Sequence, residues 1–253
     1  MRNTFIEELV VAAGLNENIA LVVGDLGFGV VEPFAKKFPE RFFNAGVAEQ
    51  NMMSLSAGLA SEGFHVFVYS IANFPTFRCA EQIRNDVDYH KLQVTIVAVG
   101  GGLAYGNLGY SHHAVQDYAL MRTMPNMLIA SPGDPMELRA CIRYLLENPQ
   151  PSYLRIGKAG EPCIHSSVPE IYPGKWLSIR NGYEGGDIYL PFEPGLLGEH
   201  AVELHRVGAL SGAEGIVAIL NAQAKAESGV DGTYTTANRV VKYVYDKVQE
   251  AYD

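Results

Sequence analysis

The chain has 253 residues, 48% hydrophobic and 19% charged, with a formal net charge of −9. That length fits one large domain or two moderate ones, and the acidic balance argues against nucleic acid, which needs a basic face, and against an anionic membrane surface. No apolar run approaches a membrane span, no signal-peptide core follows Met1, and Cys79, Cys141 and Cys163 make neither a disulfide framework nor a zinc pattern, so the expected location is a reducing cytoplasm.

Residues 4–14 predict a helix with Phe5, Leu9, Val10 and Ala13 on its apolar side, stopped by Gly14. Residues 20–24 form a short continuous apolar strand, the kind buried in parallel sheets. It runs into Asp25-Leu26-Gly27-Phe28-Gly29. Ligands bind at the carboxyl ends of strands in open α/β sheets, so Asp25 and Leu26 stand where a ligand would. Asp25 reads equally as the cap of a helix beginning near Val31.

Next, Gly46-Val47-Ala48-Glu49-Gln50 turns into an apolar helix built on small residues. Glu49 is the only formal charge between Arg41 and Glu62. A carboxylate in a first helical turn complements the helix dipole. In an apolar wall it has a second use, because burial favours its protonated form and lets it hydrogen-bond to a ring nitrogen. Ser54, Ala57, Gly58 and Ala60 would let a second helix approach closely, within the chain or from a symmetry mate.

Residues 65–70 are a second strand, with His65 an ordinary strand-entry residue. Phe74, Phe77 and Arg78 follow its end, ahead of a predicted helix over 79–87. An aromatic just past a strand end can stack on a flat heterocycle; two so close in sequence also suit a core. Residues 92–99 are a β-branched third strand. The glycine-rich loop after it ends in Gly109-Tyr110-Ser111-His112-His113. Many glycines allow positive φ and close backbone approach, but no dinucleotide fingerprint is present. His112 suits proton transfer near neutral pH, and His113 reads as bonded to backbone.

Residues 114–124 predict a helix, 125–131 a fourth strand, 135–147 a helix with proline at its first position, and 151–158 a fifth strand ending at Lys158. Alternating strands and helices give an α/β fold with a mostly parallel sheet and helices on both faces. The expected domain covers 1–160, a Pro- and Ser-rich linker 161–176, and a shortened or remodelled C-terminal region 177–253. Within that region, 215–220 reads as a strand and 234–250 as an amphipathic helix.

The Gly46–Gln50 stretch resembles the catalytic-glutamate motif of transketolase and deoxyxylulose phosphate synthase, thiamine diphosphate enzymes. The resemblance runs from about Leu21 to Lys158. It implies that Glu49 meets the aminopyrimidine ring of thiamine diphosphate. Phe74 resembles the pyrimidine-stacking Phe, with Phe77 the other candidate and Arg78 the Arg that follows. Gly24-Asp25-Leu26 resembles the family's cofactor-touching Ala-Asp-Leu. Gly-Tyr-Ser-His-His resembles the stretch whose His, here His112, faces the substrate carbonyl and hydroxyls. Lys158 falls where relatives carry a substrate-phosphate Arg, though lysine lacks the bidentate fork and also reads as a surface residue. Leu108 departs from the family: transketolase has there an Asp that reads a sugar hydroxyl.

The resemblance also implies magnesium, held in the family by Gly-Asp-Gly and a later Asn. Gly24-Asp25-Leu26, Gly133-Asp134-Pro135 and Gly186-Asp187-Ile188 all fail at the third position. The expected protein is therefore the pyrimidine-side subunit of a split transketolase, with metal and diphosphate held by an N-terminal-type partner subunit. It would self-associate through the Glu49 helix and move a two-carbon ketol unit between sugars. The alternatives are a beta-type subunit of a 2-oxo acid dehydrogenase, a deoxyxylulose-phosphate-like synthase, or a non-catalytic binding protein of the same fold.

Overall fold

Apolar strands that read as continuous runs must be covered on both faces, and the computed structural model of the chain describes such a sheet. It describes residues 1–174; the readings at 215–220 and 234–250, and the rest of the C-terminal region, lie outside the described residues. In chain order the elements are α1 (Arg2–Leu15), β1 (Ile19–Val23), α2 (Glu32–Lys37), β2 (Phe42–Asn44), α3 (Glu49–Ser61), β3 (His65–Ile71), α4 (Phe74–Phe77), α5 (Ala80–Gln82), β4 (Val94–Val99), α6 (Asp117–Met121), β5 (Leu128–Ala130), α7 (Pro135–Glu147) and β6 (Ser152–Ile156). The six strands are ordered β2-β1-β3-β4-β6-β5, and every neighbouring pair is parallel.

Strand alternation separates two cores. Leu21, Val23, Phe67, Tyr69, Val97 and Leu154 face α1, α2 and α7. Ala20, Val22, Val66, Val68, Ile96 and Tyr153 face α3 and α6, against Met52, Met53 and Met121. Each fully buried large side chain contributes roughly 1.5–3 kcal/mol over its exposed state, so a one-residue slip of any central strand would exchange the two cores. From β1 the chain steps outward to β2, then returns past β1 to β3. This reversal opens the crevice at the carboxyl ends of β1 and β3, the usual ligand position in such sheets.

One strand is not predicted, and two predicted helices differ from the observed ones. The sequence pattern predicts no strand at β2, because three residues are too few to show periodicity; they pair with β1 through Leu21↔Phe42 and Val23↔Asn44. The single helix expected over 79–87 is a short α5 followed by a π-helical stretch, Ile83–Asp88. That stretch ends where buried Asp88 accepts hydrogen bonds from Asn126 N at 3.0 Å and Asn126 Nδ2 at 3.4 Å. The helix expected over 114–124 shrinks to α6, since Ala114 is spent in an antiparallel bridge with Gly102.

By contrast, α7 has the predicted bounds. Asp134 accepts from Glu137 N at 2.8 Å, Glu137 reaches back to Gly133 N at 2.6 Å, and Pro135 occupies the first turn, a variant of the capping box in which the glutamate bonds the residue before the N-cap. The second Asp134 oxygen receives the N–H groups of Ile164 and His165, each at 2.7 Å, folding the chain after β6 onto this helix start.

Candidate functional site

The carboxyl edge of the sheet gathers the predicted chemistry. Glu49 opens α3, directly after the turn at Gly46, whose φ is +71°. Its side chain is only 4% exposed, and no side chain caps the helix at Ala48. Gly24 borders this seat: a Cβ there would stand 3.8 Å from Glu49 Cγ, an ordinary contact, and 3.3 Å from Met52 Sδ, a slightly tight one. The N-terminal N–H groups of α3 favour negative charge at this point.

The buried carboxylate has a counter-ion that the family resemblance assigns only to the cofactor. Arg78 Nη1 donates to Glu49 Oε1 at 2.8 Å. The same guanidinium lies over Phe74, 4.0 Å from the ring centroid, a cation–π contact. A buried charge needs such a partner, since an isolated one is strongly destabilising. Cys79 is packed beside this pair. Burial, then the charge of Glu49, pushes its thiol up to about 12, so it stays protonated.

Phe74 also meets His112, with ring centroids 5.2 Å apart in an edge-on arrangement. His112 Nδ1 is 3.0 Å from Ser111 Oγ, and the Ser111 carbonyl accepts from Asn73 Nδ2 at 2.7 Å. Asn73 thus ties the loop after β3 to the loop after β4. On its other side His112 faces Tyr105, and Lys158 Nζ stands 4.6 Å above the Tyr105 ring. Glu49, Arg78, Phe74, His112, Tyr105 and Lys158 therefore form one continuous string of contacts across the ends of β2, β3, β4 and β6. His113 instead donates from Nε2 to the Gly106 carbonyl at 2.8 Å, the backbone role read from the sequence.

Asp25 stands beside this string rather than in it. Its backbone is left-handed, with φ +54°. Its N–H donates to Asn44 Oδ1 and its Oδ1 accepts from Asn44 Nδ2, both at 3.0 Å. Asn44 Oδ1 also accepts from Gly46 N at 3.0 Å, so one amide ties Asp25 to the turn before Glu49. The alternative role for Asp25, capping the helix near Val31, is not taken up: α2 has no side-chain cap, and Glu32 Oε1 accepts from Gly29 N at 2.8 Å in the turn before the helix. Leu26, on the loop after β1, and the exposed Phe77, at the end of α4, lie beside the string without joining it.

Sequence reasoning does not find Asn44, Asn73 or Tyr105. The only signal for Asn44 is its place two residues before the positive-φ glycine; the others have none, because their partners are distant in the chain.

The small-residue helix divides by face. Ala57 and Ala60 pack inward, while Ser54 and Gly58 face out. Together with Ser61, Asp86, His90 and Leu92 they line a shallow groove of about 450 Å³. Around the site, Phe28, Val47, Phe77, Leu103, Leu108 and Tyr110 expose large apolar side chains, all in the segments that follow the carboxyl ends of β1 to β4. Among the described residues no helix is long and apolar enough to cross a membrane.

Comparison with known proteins bears on family and fold. The family profile "Transketolase, pyrimidine binding domain" matches residues 1–160. The chain is 35% identical over 204 residues to an apulose-4-phosphate transketolase subunit of Phocaeicola vulgatus, covering 78% of this chain and 65% of that protein. It is 31% identical over 189 residues to a 6-deoxy-6-sulfo-D-fructose transketolase subunit of a Clostridium species, covering 74% and 58%. Among solved structures it superposes on a split-gene transketolase described as an inactive beta4 tetramer, with TM-score 0.64, 38% identity, and 72% of this chain and 59% of that chain covered. The match thus spans less than two thirds of each of these relatives.

Proposed function

Because this chain belongs to the transketolase family through its pyrimidine-binding domain, we propose that it is the pyrimidine-side subunit of a split, thiamine diphosphate-dependent transketolase. It transfers a two-carbon ketol unit from a ketose donor to an aldehyde acceptor. The observation that carries this reading is Glu49, a nearly buried carboxylate at a helix start. It stands one guanidinium away from an aromatic ring and an imidazole on the same sheet edge.

These residues fit one half of the cofactor. Glu49 would hold a proton at the pyrimidine ring nitrogen, Phe74 and Phe77 supply aromatic faces for the ring, and Asp25, Leu26 and Arg78 border it. Thiamine diphosphate, when bound, supplies the electron sink for breaking a carbon–carbon bond beside a carbonyl. His112 would move protons on the substrate oxygens, and Lys158 would meet a substrate anion. The diphosphate half has no counterpart among the described residues. No group of three His, Cys, Asp or Glu side chains comes together among them to hold a metal, and the whole sequence lacks Gly-Asp-Gly. The reading assigns magnesium and diphosphate to an N-terminal-type partner subunit.

The exposed apolar side chains around the site support that partner, since such patches mark interaction surfaces. The groove beside Ser54 and Gly58 supports self-association through α3, which gives a heterotetramer of two pairs. The reading divides the chain into a pyrimidine-binding domain at 1–160, a linker at 161–176 and a remodelled region at 177–253, and puts the enzyme in the cytoplasm, in carbohydrate metabolism. Leu108, an exposed apolar side chain near His112, supports a donor whose recognition does not use the hydroxyl read by Asp in transketolase.

Titrating thiamine diphosphate and magnesium into the chain alone, and into the chain with its companion subunit, tests the reading. Saturable binding is expected only with the companion present. Tight binding by the chain alone, or none by the pair, would refute it.

A further inference from the structure

One cation near the site is absorbed by nothing proposed so far. Arg155, on β6, faces the same side of the sheet as Tyr153 and sends its guanidinium under the glycine-rich loop. Its side chain is 20% exposed. Nε donates to Asp117 Oδ2 at 2.8 Å, Nη2 to the Ala114 carbonyl at 3.0 Å, and Nη1 to Tyr118 Oη at 3.2 Å. The guanidinium also stacks on Tyr118, 4.4 Å from the ring centroid. Tyr153 Oη donates to the same Asp117 oxygen at 2.7 Å, and Asp117 is fully buried.

The other wall of this seat is Gly101. A Cβ there would fall 1.9 Å from Arg155 Nε, so the guanidinium fills the space a side chain would take. At this level the loop is pinched. Gly102 N donates to the Ala114 carbonyl at 2.8 Å, and Ala114 N to the Gly102 carbonyl at 3.0 Å. Residues 103–113, with Tyr105, Leu108 and His112, all hang beyond that neck. Arg155 holds both of its sides: glycine backbone on one, Ala114 and Asp117 on the other. Only a planar fork of donors reaches three acceptors in different directions at once.

We infer that Arg155, Asp117 and Gly101 form a positioning clamp, which sets the loop bearing His112 over the cofactor site and so determines substrate recognition and turnover but not cofactor affinity. The clamp rests on the reading of His112 as substrate-facing. Glu49 and Phe74 open α3 and α4 rather than the clamped loop, so the clamp itself holds neither of them, and the ring-binding half meets that loop through the Phe74–His112 contact and Asn73. Loosening the neck displaces His112, and misplacing a reacting group by an ångström is enough for a large loss of rate.

The test uses Arg155→Lys, which keeps the charge opposite Asp117, and Gly101→Ala, whose Cβ displaces the guanidinium while leaving Arg155 itself in the sequence. Amide hydrogen exchange on the chain reads the clamp directly. Protection at Gly102 and Ala114 is expected to fall about tenfold or more in both variants, while amides of β1 and β3 keep theirs. In the assembled enzyme, kcat/KM is expected to fall about tenfold or more, with the thiamine diphosphate Kd within about twofold of the parent. Unchanged neck protection, or protection lost throughout the sheet, overturns the clamp. So does a cofactor affinity that falls in step with activity. A parent pair that keeps its neck protection yet shows no transferase activity would instead sink the assignment of His112 to substrate, and with it the functional part of the inference. Should either variant fold poorly, Arg155→Met with Asp117→Asn leaves no unpaired buried charge and is held to the same outcomes.

Discussion

At the amino edge of the sheet, His65 is 4% exposed and stacks on Phe67 at 4.5 Å. Its Nε2 lies 2.8 Å from Thr95 Oγ1, which lies 2.8 Å from Ser152 Oγ, a buried chain linking β3, β4 and β6. At the carboxyl edge, His112 is half-buried on a loop, against the ring of Phe74 and an exposed serine. The two edges thus carry the same residue type under opposite conditions. At the amino edge His65 Nε2, Thr95 Oγ1 and Ser152 Oγ are matched to one another within the sheet. At the carboxyl edge the groups are held by loops, partly wet, and ringed by exposed apolar side chains. A histidine or an acid becomes a functional candidate where the scaffold fixes it but leaves part of it unspent.

The contrast can be broken most forcefully at Glu49. Glu49→Gln in the assembled pair is expected to lower kcat by about 10²–10⁴-fold, the range for a lost proton-transfer group, with melting temperature little changed. Turnover close to the parent's would remove the carboxyl edge from the chemistry.

His65 tests the other edge through pH. Burial holds its pKa at about 4, below the ordinary 6.5, so the folded state favours the neutral ring. The stability this gives is complete above pH 6.5 and is lost as pH falls from 6.5 through 4. At full extent the loss is roughly 3 kcal/mol, at about 1.36 kcal/mol per pH unit. Urea melts across that range should show the acid-side slope, and His65→Gln, which cannot titrate, should flatten it. An equal slope in the variant would mean that another group carries it.

His112→Asn is expected to reduce kcat/KM by about 10- to 100-fold, without altering the acid-side melts that His65 governs. Equal shifts in both would erase the distinction between the edges. Asp134 gives the smallest effect and the sharpest control. It stands on the carboxyl edge, yet its bonds are saturated. Burial works against its charge, but the N–H donors of Glu137, His165 and Ile164 together with the His165 ring outweigh that and hold its carboxyl far below the usual range. Asp134→Ala should cost about 1–2 kcal/mol as a lost helix cap and leave kcat within about twofold of the parent. A large fall in kcat at unchanged stability would show that position along the sheet, not saturation, makes a residue functional.

How much of this is legible in the sequence depends on distance along the chain. Glu49, Phe74 and His112 each sit in a short stretch whose local pattern carries the signal, and α7 announces itself through Asp134-Pro135-Met136-Glu137. The residues of β2 carry no such signal, because three residues become a strand only once β1 lies alongside them. The helix expected over 114–124 loses its first turn to a bridge with Gly102, a partner that no local pattern names.

By itself, the sequence determined the parallel α/β architecture and the two-faced strands, since periodicity and turn chemistry act between near neighbours, while the acid, the aromatic and the imidazole came forward as candidates through the family resemblance. Tertiary structure alone decided that Arg78 neutralises Glu49, that Asn44 rather than a helix start takes Asp25, and that Arg155 fills the space left by Gly101. Those choices join residues 19 to 54 positions apart. Charge pairing and close packing depend on separations in space, which exist only after the sheet has brought its strand ends together.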